Sequence, residues 1–178
     1  MERLAEDEQI DLIYTDAARV SVNAVVPYGW QFPDEDVFMP STQGAGLNCI
    51  AFLQRNNQSS CQVRREGINS QFIFEQFEQL SLRIRKLSVV VLDNASVHTA
   101  KIIKQRREVW EGRGLFLFYL PRYSPHLNIV EILWRKLKYE WLSPLDYETD
   151  EGLFYAVRQA LAAVGTSLRI NFSKFGLA

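Results

Sequence analysis

The sequence has no hydrophobic run that approaches the roughly 20 residues needed to cross a bilayer. It is also poor in cysteine and histidine, with two residues of each. Cys49 and Cys61 form no Cys-x-x-Cys pair and have no histidine at ligand-like spacing, which argues against a zinc site and fits a reducing cytoplasm. The acidic N-terminus lacks the apolar core of a signal peptide. These absences predict a protein that neither spans a membrane nor is exported.

The chain also lacks a strong net charge. Its 178 residues include 20 Lys and Arg against 21 Asp and Glu, which gives a formal net charge of −1. A dedicated DNA-binding domain usually carries a basic excess. The basic residues are nevertheless grouped in the middle of the chain, at 83–86, 101–107 and 135–138. This distribution allows a basic surface on a protein that is neutral overall.

The length suits one domain with a full hydrophobic core and is short for two. Apolar runs predict strands at 10–16, 18–26, 47–53 with a short extension at 61–64, 87–92 and 115–120. Helical spacing predicts helices over 68–86, capped by Asn69 or Ser70, over 99–112, begun by Thr99, and over 128–141 and 148–164. The alternation in the second half predicts parallel strands joined by helical crossovers.

Three acidic residues stand at the boundaries of predicted elements. Asp16 ends the first strand, Asp93 ends the buried strand at 87–92, and Glu131 lies in the first turn of a helix. If the two strands are parallel neighbours, Asp16 and Asp93 emerge at the sheet edge where such folds bind ligands. Three carboxylates suit Mg²⁺, which prefers oxygen ligands, and two such ions about 4 Å apart activate displacement at phosphorus.

Each acid also has a purely structural interpretation. Asp16 could make a turn hydrogen bond, and Asp93 followed by Asn94 is typical of an Asx turn. Glu131 would be stabilised by the helix dipole and by an ion pair with Arg135. Residue by residue, the sequence leaves both interpretations open.

Two segments carry a family resemblance. VVVLDNASVHTAK (89–101) and LFLFYLPRYSPHLNIVEILWRKLKYEWL (115–142) resemble the second half of the DDE catalytic domain of IS630/Tc1/mariner-type transposases. That family has an apolar strand ending in Asp-Asn-Ala with a histidine shortly after, then Leu-Pro-x-Tyr-Ser-Pro-x-Leu-Asn-Pro-Ile-Glu followed by Trp and Lys. The matching positions are Leu120, Pro121, Tyr123, Ser124, Pro125, Leu127, Asn128, Glu131, Trp134 and Lys138. A weaker match, IYTDAARVSVNAVVPYGW (13–30), resembles the strand with the first aspartate.

The sequence departs from the family pattern at several positions. Ala17 follows Asp16 where the family often has Glu, Ile129 stands where Pro is usual, and His126 where Asp is common. The last two acids lie 38 positions apart, slightly wider than is usual in the family. None of these differences removes a carboxylate. The family's N-terminal helix-turn-helix domains are missing from this chain. Three explanations stay open: an upstream reading frame encodes them, they were removed, or they were lost.

The resemblance implies an α/β, RNase H-like fold with a mixed five-stranded sheet flanked by helices. It implies a single catalytic domain over 1–178, with a core at about 8–142 and a C-terminal helical extension at 143–178. Asp16, Asp93 and Glu131 would bind two Mg²⁺ or Mn²⁺ ions and catalyse DNA cleavage and strand transfer. Asn94 and His98 would support them, although His98 could equally cap a helix or lie on the surface.

The resemblance also implies DNA as the partner, both transposon ends and target, bound by a homodimer in the bacterial cytoplasm, at the nucleoid when active. Candidates for contacts with the DNA backbone are Lys101, Lys104, Arg106, Arg107, Arg135 and Lys138, for which an ordinary solvated face is the alternative. We expect Trp134 and Trp141 in the core. Two other functions stay open: a truncated or domesticated remnant that binds DNA or a partner without catalysis, and an RNase H-like nuclease without strand transfer.

Overall fold

The computed structural model describes residues 1–21 and 46–172, and its centre is a five-stranded sheet in the order β3-β2-β1-β4-β5. The strands are β1 (Asp11–Val20), β2 (Leu47–Leu53), β3 (Ser59–Arg64), β4 (Ser88–Leu92) and β5 (Leu115–Tyr119). β1–β2 and β2–β3 are antiparallel, whereas β1–β4 and β4–β5 are parallel. The predicted mixed five-stranded sheet is therefore confirmed.

Five α-helices accompany the sheet in the described part of the chain: α1 (Glu2–Glu6), α2 (Ser70–Arg83), α3 (Lys101–Gly112), α4 (Val130–Lys136) and α5 (Asp150–Ala162). A π-helical turn, Leu137–Trp141, continues α4. One buried cluster lies between the sheet and α4–α5, and a second lies between the sheet and α2–α3. In β4, Val89 and Val91 belong to the first cluster, Val90 and Leu92 to the second. A strand buried on both faces explains the unbroken apolar run.

The predicted division between a strand at 10–16 and another at 18–26 is wrong, because β1 runs without a break from Asp11 to Val20. Residues 22–26 lie outside the described residues. β2 pairs with β1 as far as Val20, whereas the pairing with β4 ends at Tyr14. The antiparallel partner thus carries β1 past the end of β4. The predicted extension at 61–64 is a full strand, β3, because it pairs along the length of β2.

The helix ends partly follow the sequence. Asn69 caps α2, since its side chain accepts a hydrogen bond of 2.9 Å from the backbone N–H of Phe72. Thr99 does not cap α3, because the capping position is Ala100 and the Thr99 hydroxyl donates to the carbonyl of Ala95. The short helix α1 was not predicted. No helix of residues 1–21 or 46–172 is long and apolar enough to span a bilayer.

Candidate active site

Asp93 follows β4 directly and makes the turn that ends it. Its Oδ1 accepts a hydrogen bond of 3.1 Å from the backbone N–H of Ala95 and lies 2.6 Å from Nδ1 of His98. The contact with His98, helped by the Ala95 amide, lowers the pKa of Asp93 against the opposing effect of burial. The side chain is still 49% exposed, so the Asx turn does not remove the carboxylate from the surface.

His98 lies behind Asp93 and is only 1% exposed. Its Nδ1 contacts Asp93, and its carbonyl oxygen accepts a hydrogen bond of 2.9 Å from the hydroxyl of Tyr119. In the described part of the chain, Nε2 of His98 is buried without a hydrogen-bond partner. The interpretations of His98 as a surface residue or a helix cap are therefore wrong, because its side chain is buried and oriented by the Asp93 carboxylate.

Asp16 does not end β1, contrary to the prediction, because β1 continues to Val20. It still reaches the expected edge. The pairing of β1 with β4 ends at Tyr14 and Val91, and Asp16 and Asp93 each follow this last pair by two residues and line the same cavity. Its Oδ2 accepts a hydrogen bond of 2.9 Å from the indole N–H of Trp134. Trp134 is therefore both a core residue, as predicted, and a partner of Asp16.

The pKa of Asp16 is raised from its ordinary value to about 6. Burial is the largest cause, and the negative charges of Glu131 and Asp93 add to it. The backbone N–H of Ala17 and the Trp134 indole act in the opposite direction without cancelling the effect. The three acids thus interact electrostatically, and Asp16 bears the effect of a locally negative environment.

Glu131 lies in the first turn of α4 and is exposed. No ion pair joins it to Arg135 among the described residues, so the structural interpretation based on that pair is wrong. Asn128, which the sequence analysis matched to the family motif without giving it a role, anchors this helix. Its side-chain N–H donates a hydrogen bond of 3.0 Å to the carbonyl oxygen of Thr15, and its side-chain oxygen accepts one of 3.2 Å from the backbone N–H of Val130. The buried amide ties the start of α4 to β1, and its place in the family motif could have revealed it.

The three carboxylates line one cavity of about 390 Å³. Its other walls are Asn94, Asn128 and the loop from Leu120 to Pro125. As the side chains stand, no group of three or more His, Cys, Asp or Glu in the described ranges is arranged to hold a metal ion. The three acids thus lie around one cavity, as the sequence predicts, but their carboxylates are not close enough together to form a ready metal site.

Comparison with known families settles the class of domain. The model for the DDE superfamily endonucleases matches residues 11–153. The chain belongs to this family. A search of curated proteins found no significant match.

Solved structures agree with this DDE domain in fold. The Mos1 mariner paired end complex with Mn matches at 16% identity and a TM-score of 0.63, covering 91% of this chain and 51% of that one. The Mos1 strand transfer complex matches at 14% identity and a TM-score of 0.59, and again covers 91% of this chain and 51% of that one. The catalytic core domain of BIV integrase matches at 17% identity and a TM-score of 0.52, covering 85% of this chain and 81% of that one. The DDE domain has the RNase H-like fold, as predicted, and spans about half of the Mos1 chains.

Asn94 of the DDE domain lines the cavity and also holds its wall in place. Its side-chain N–H donates a hydrogen bond of 2.5 Å to the carbonyl oxygen of Leu120. The backbone N–H of Leu120 in turn donates a hydrogen bond of 2.8 Å to the carbonyl oxygen of Leu92. These bonds join the ends of β4 and β5 directly below the loop that lines the cavity. Asn94 therefore braces the edge of the sheet.

The basic residues named as DNA contacts of the DDE domain differ in their surroundings. Lys101, Lys104 and Arg135 are exposed, and Lys138 is half-buried. Arg107 is also exposed but pairs with Glu111 at 2.6 Å. Arg106 is turned toward α2, where it forms a two-pronged contact with Glu78 at 3.0 and 2.8 Å. Arg106 is thus engaged within the fold, a feature that charge patterning does not reveal.

Proposed function

We propose that residues 1–178 form the catalytic domain of an IS630/Tc1/mariner-type transposase that cleaves DNA phosphodiesters with divalent metal ions and joins the freed 3′ end to target DNA. The observation that carries this proposal is the cavity shared by Asp16, Asp93 and Glu131. In the described residues no lysine or arginine forms an ion pair with any of the three. A cluster of acids without an internal cation is suited to an external one.

The donor chemistry of the cavity fits hard divalent cations. Carboxylate oxygens are the ligands that Mg²⁺ and Mn²⁺ take, and waters complete the shell. We propose Asp16, Asp93 and Glu131 as the residues that would hold two such ions. When bound, such a pair supplies activation of the attacking oxygen and stabilisation of the leaving oxygen at phosphorus. The raised pKa of Asp16, caused first by burial and then by the charges of Glu131 and Asp93, supports this, because a bound cation would favour the ionised carboxylate.

The residues of the chain would orient these acids. His98 holds one oxygen of Asp93, and Trp134 holds one oxygen of Asp16. Asn128 ties the helix that carries Glu131 to the strand that carries Asp16. Such contacts fix acids in place before substrate arrives, which lowers the free-energy cost of reorganisation in the transition state.

DNA as substrate rests on similarity and on surface charge. The Mos1 chains of similar fold come from a strand transfer complex and from a paired end complex with Mn. Exposed Lys101, Lys104 and Arg135 would contact phosphates nonspecifically, which gives salt-sensitive binding. Arg106 is the weakest of the contact candidates because Glu78 already engages it. A homodimer on DNA belongs to the same proposal.

The test is cleavage of element-end DNA by the 178-residue chain with Mg²⁺ or Mn²⁺, followed by strand transfer from pre-cleaved 3′ ends. Asp93→Asn and Glu131→Gln should each lower cleavage by about 10³-fold or more, equivalent to about 4 kcal/mol in the barrier. Asp150→Asn, in the first turn of α5, is the matched acid control and should cleave normally.

The outcomes separate the rival functions. Cleavage that survives Asp93→Asn in a folded protein would refute the assignment of the site. Cleavage without strand transfer would indicate a nuclease. A protein that shows no heat of Mn²⁺ binding dependent on the three acids would be an inert remnant.

A further inference from the structure

Tyr123 stands out in the loop that lines the acidic cavity. It is 97% exposed, and its backbone has φ = +58°, in the left-handed region. Glycine adopts this region freely, whereas a bulky L-residue does so at a cost of about 1–2 kcal/mol. A large apolar ring in a strained backbone conformation, fully in solvent, needs an explanation beyond folding.

Asn57, another described residue with a positive φ, shows what a structural explanation looks like. Its φ is +69°, and its side chain makes two hydrogen bonds with the backbone of Ile170, at 3.0 and 2.7 Å. Those bonds offset the backbone strain. Tyr123 has no comparable compensation, because among residues 1–21 and 46–172 its side chain makes no hydrogen bond or ring contact.

The turn that carries Tyr123 is anchored on both sides. On one side the backbone and the Asn94 side chain fix Leu120 to the end of β4. On the other side, the backbone N–H of Leu127 donates a hydrogen bond of 3.1 Å to the carbonyl oxygen of Ser124. The side chain of Asn128 is hydrogen-bonded to the backbone of β1. The ring is therefore presented from a well-held loop rather than from a loose one.

The position of Tyr123 relates it to the acids. Tyr123 lines the same cavity as Asp16, Asp93 and Glu131, and the exposed Arg122 lies beside it on the wall. A DNA strand with a phosphate at the carboxylates would bring its adjoining bases and sugars to this wall. An exposed aromatic ring stacks any base, because every base has a π-face, and an arginine attracts the backbone charge.

We propose that Tyr123 is a stacking site for an unpaired nucleobase next to the reacting phosphate, with Arg122 facing the backbone of the same strand. The inference rests on the proposed function and specifies its substrate: DNA whose end is frayed or splayed at the cleavage point. A base inside a duplex already stacks on its neighbours and must leave the helix to meet the ring. The ring, not the hydroxyl, is the functional part.

The experiment uses pre-cleaved DNA with 2-aminopurine at each of the first three positions from the cleaved end, on either strand. Stacking of 2-aminopurine on Tyr123 quenches its fluorescence. Tyr123→Phe keeps the ring, whereas Tyr123→Gly and Tyr123→Asn remove it and tolerate the left-handed backbone. Tyr155→Ala, which removes an exposed tyrosine from α5 away from the cavity, is the control.

At one position the bound 2-aminopurine should stay quenched with the unmodified protein, Tyr123→Phe and Tyr155→Ala, because it exchanges its neighbours in the duplex for the ring. Tyr123→Gly and Tyr123→Asn should lose the quenching and bind the DNA about 5- to 150-fold more weakly, as for removal of one stacked base. Their thermal midpoints should not fall, since the strained backbone is relieved. The stacking site would be overturned if, at saturation and at every position, fluorescence and affinity in these two variants equalled those of the unmodified protein.

Failure of this site and failure of the proposed function remain distinguishable. If Asp93→Asn abolishes cleavage while Tyr123→Gly quenches like the unmodified protein, only the stacking site is wrong. If cleavage survives Asp93→Asn while quenching depends on Tyr123, the chain binds DNA here but the assignment of the acids fails.

Discussion

Two carboxylate sites in this domain use the same kind of donor and have opposite charge balances. Glu78 on α2 accepts a hydrogen bond of 2.8 Å from the indole N–H of Trp110, and Asp16 accepts one of 2.9 Å from Trp134. Glu78 also accepts hydrogen bonds from Arg106 and Arg113, and Arg106 is the largest cause that lowers its pKa, to about 2. Burial and neighbouring acids raise the pKa of Asp16 to about 6.

The difference separates a site that is complete within the chain from one that is not. The charge of Glu78 is balanced by two arginines, and its role is to join α2 to α3. The acids of the cavity repel one another, and no arginine or lysine of the described residues pairs with them. The same functional group, a carboxylate, thus stabilises the fold where cations surround it and favours an external cation where they are missing.

Removing one indole N–H from each site tests the difference between Glu78 and Asp16 most directly. Trp134→Phe should lower metal affinity and cleavage by about 10- to 100-fold, as is typical when a residue that orients a metal ligand is lost. Trp110→Phe should leave both unchanged and should cost about 2–3 kcal/mol of stability, because the smaller ring leaves a cavity at a fully buried position in addition to losing the hydrogen bond. Mn²⁺ calorimetry, cleavage rates and urea unfolding of both variants measure this. Equal losses of activity would contradict the distinction between the sites.

The sequence predicted the second half of the fold well because its patterns are local. The run Val89–Leu92 is apolar on both faces and so indicates a buried parallel strand, and Asn69 caps α2 through its own side chain. The course of β1 could not be predicted in this way. β1 continues past Asp16 because β2, a strand distant in sequence, pairs with it as far as Val20.

The acids were predicted from motif spacing, but their partners were not. Trp134 was assigned to the core from its helical periodicity, which carries no information about where its N–H points. His98 was ambiguous because burial of a polar residue depends on the packing of β5, whose Tyr119 hydroxyl holds its carbonyl. Arg106 belonged to a basic run, and only its contact with Glu78 shows that it faces α2.

A second test removes the charge of Glu78. Glu78→Gln should lower the free energy of unfolding by about 1–2 kcal/mol at pH 7, since charge-assisted hydrogen bonds from two arginines are weakened at a partly exposed site. Because the folded pKa of Glu78 is depressed, its contribution is present above its ordinary value of 4.5 and is lost as the pH falls toward about 2. Urea unfolding from pH 7 to 2 should show the two proteins converging across that window. Cleavage at a temperature well below unfolding should be normal, and a loss would contradict the structural role.

The smallest expected effect concerns Asp16 in metal-free protein. Its folded pKa lies above the ordinary value of 3.8, so its contribution to stability is full below that value and is lost as the pH rises through about 6. Asp16→Asn should therefore match the unmodified protein below about pH 4 and exceed it at pH 8 by about 1 kcal/mol, a figure reduced for partial solvent screening. Urea unfolding in the presence of a chelator measures the difference. Saturating Mn²⁺ should then reverse the order, because a bound cation stabilises only the protein that keeps the carboxylate. A variant that is no more stable at pH 8 without metal would show that burial and the neighbouring acids do not destabilise the Asp16 carboxylate, and the contrast with Glu78 would fail.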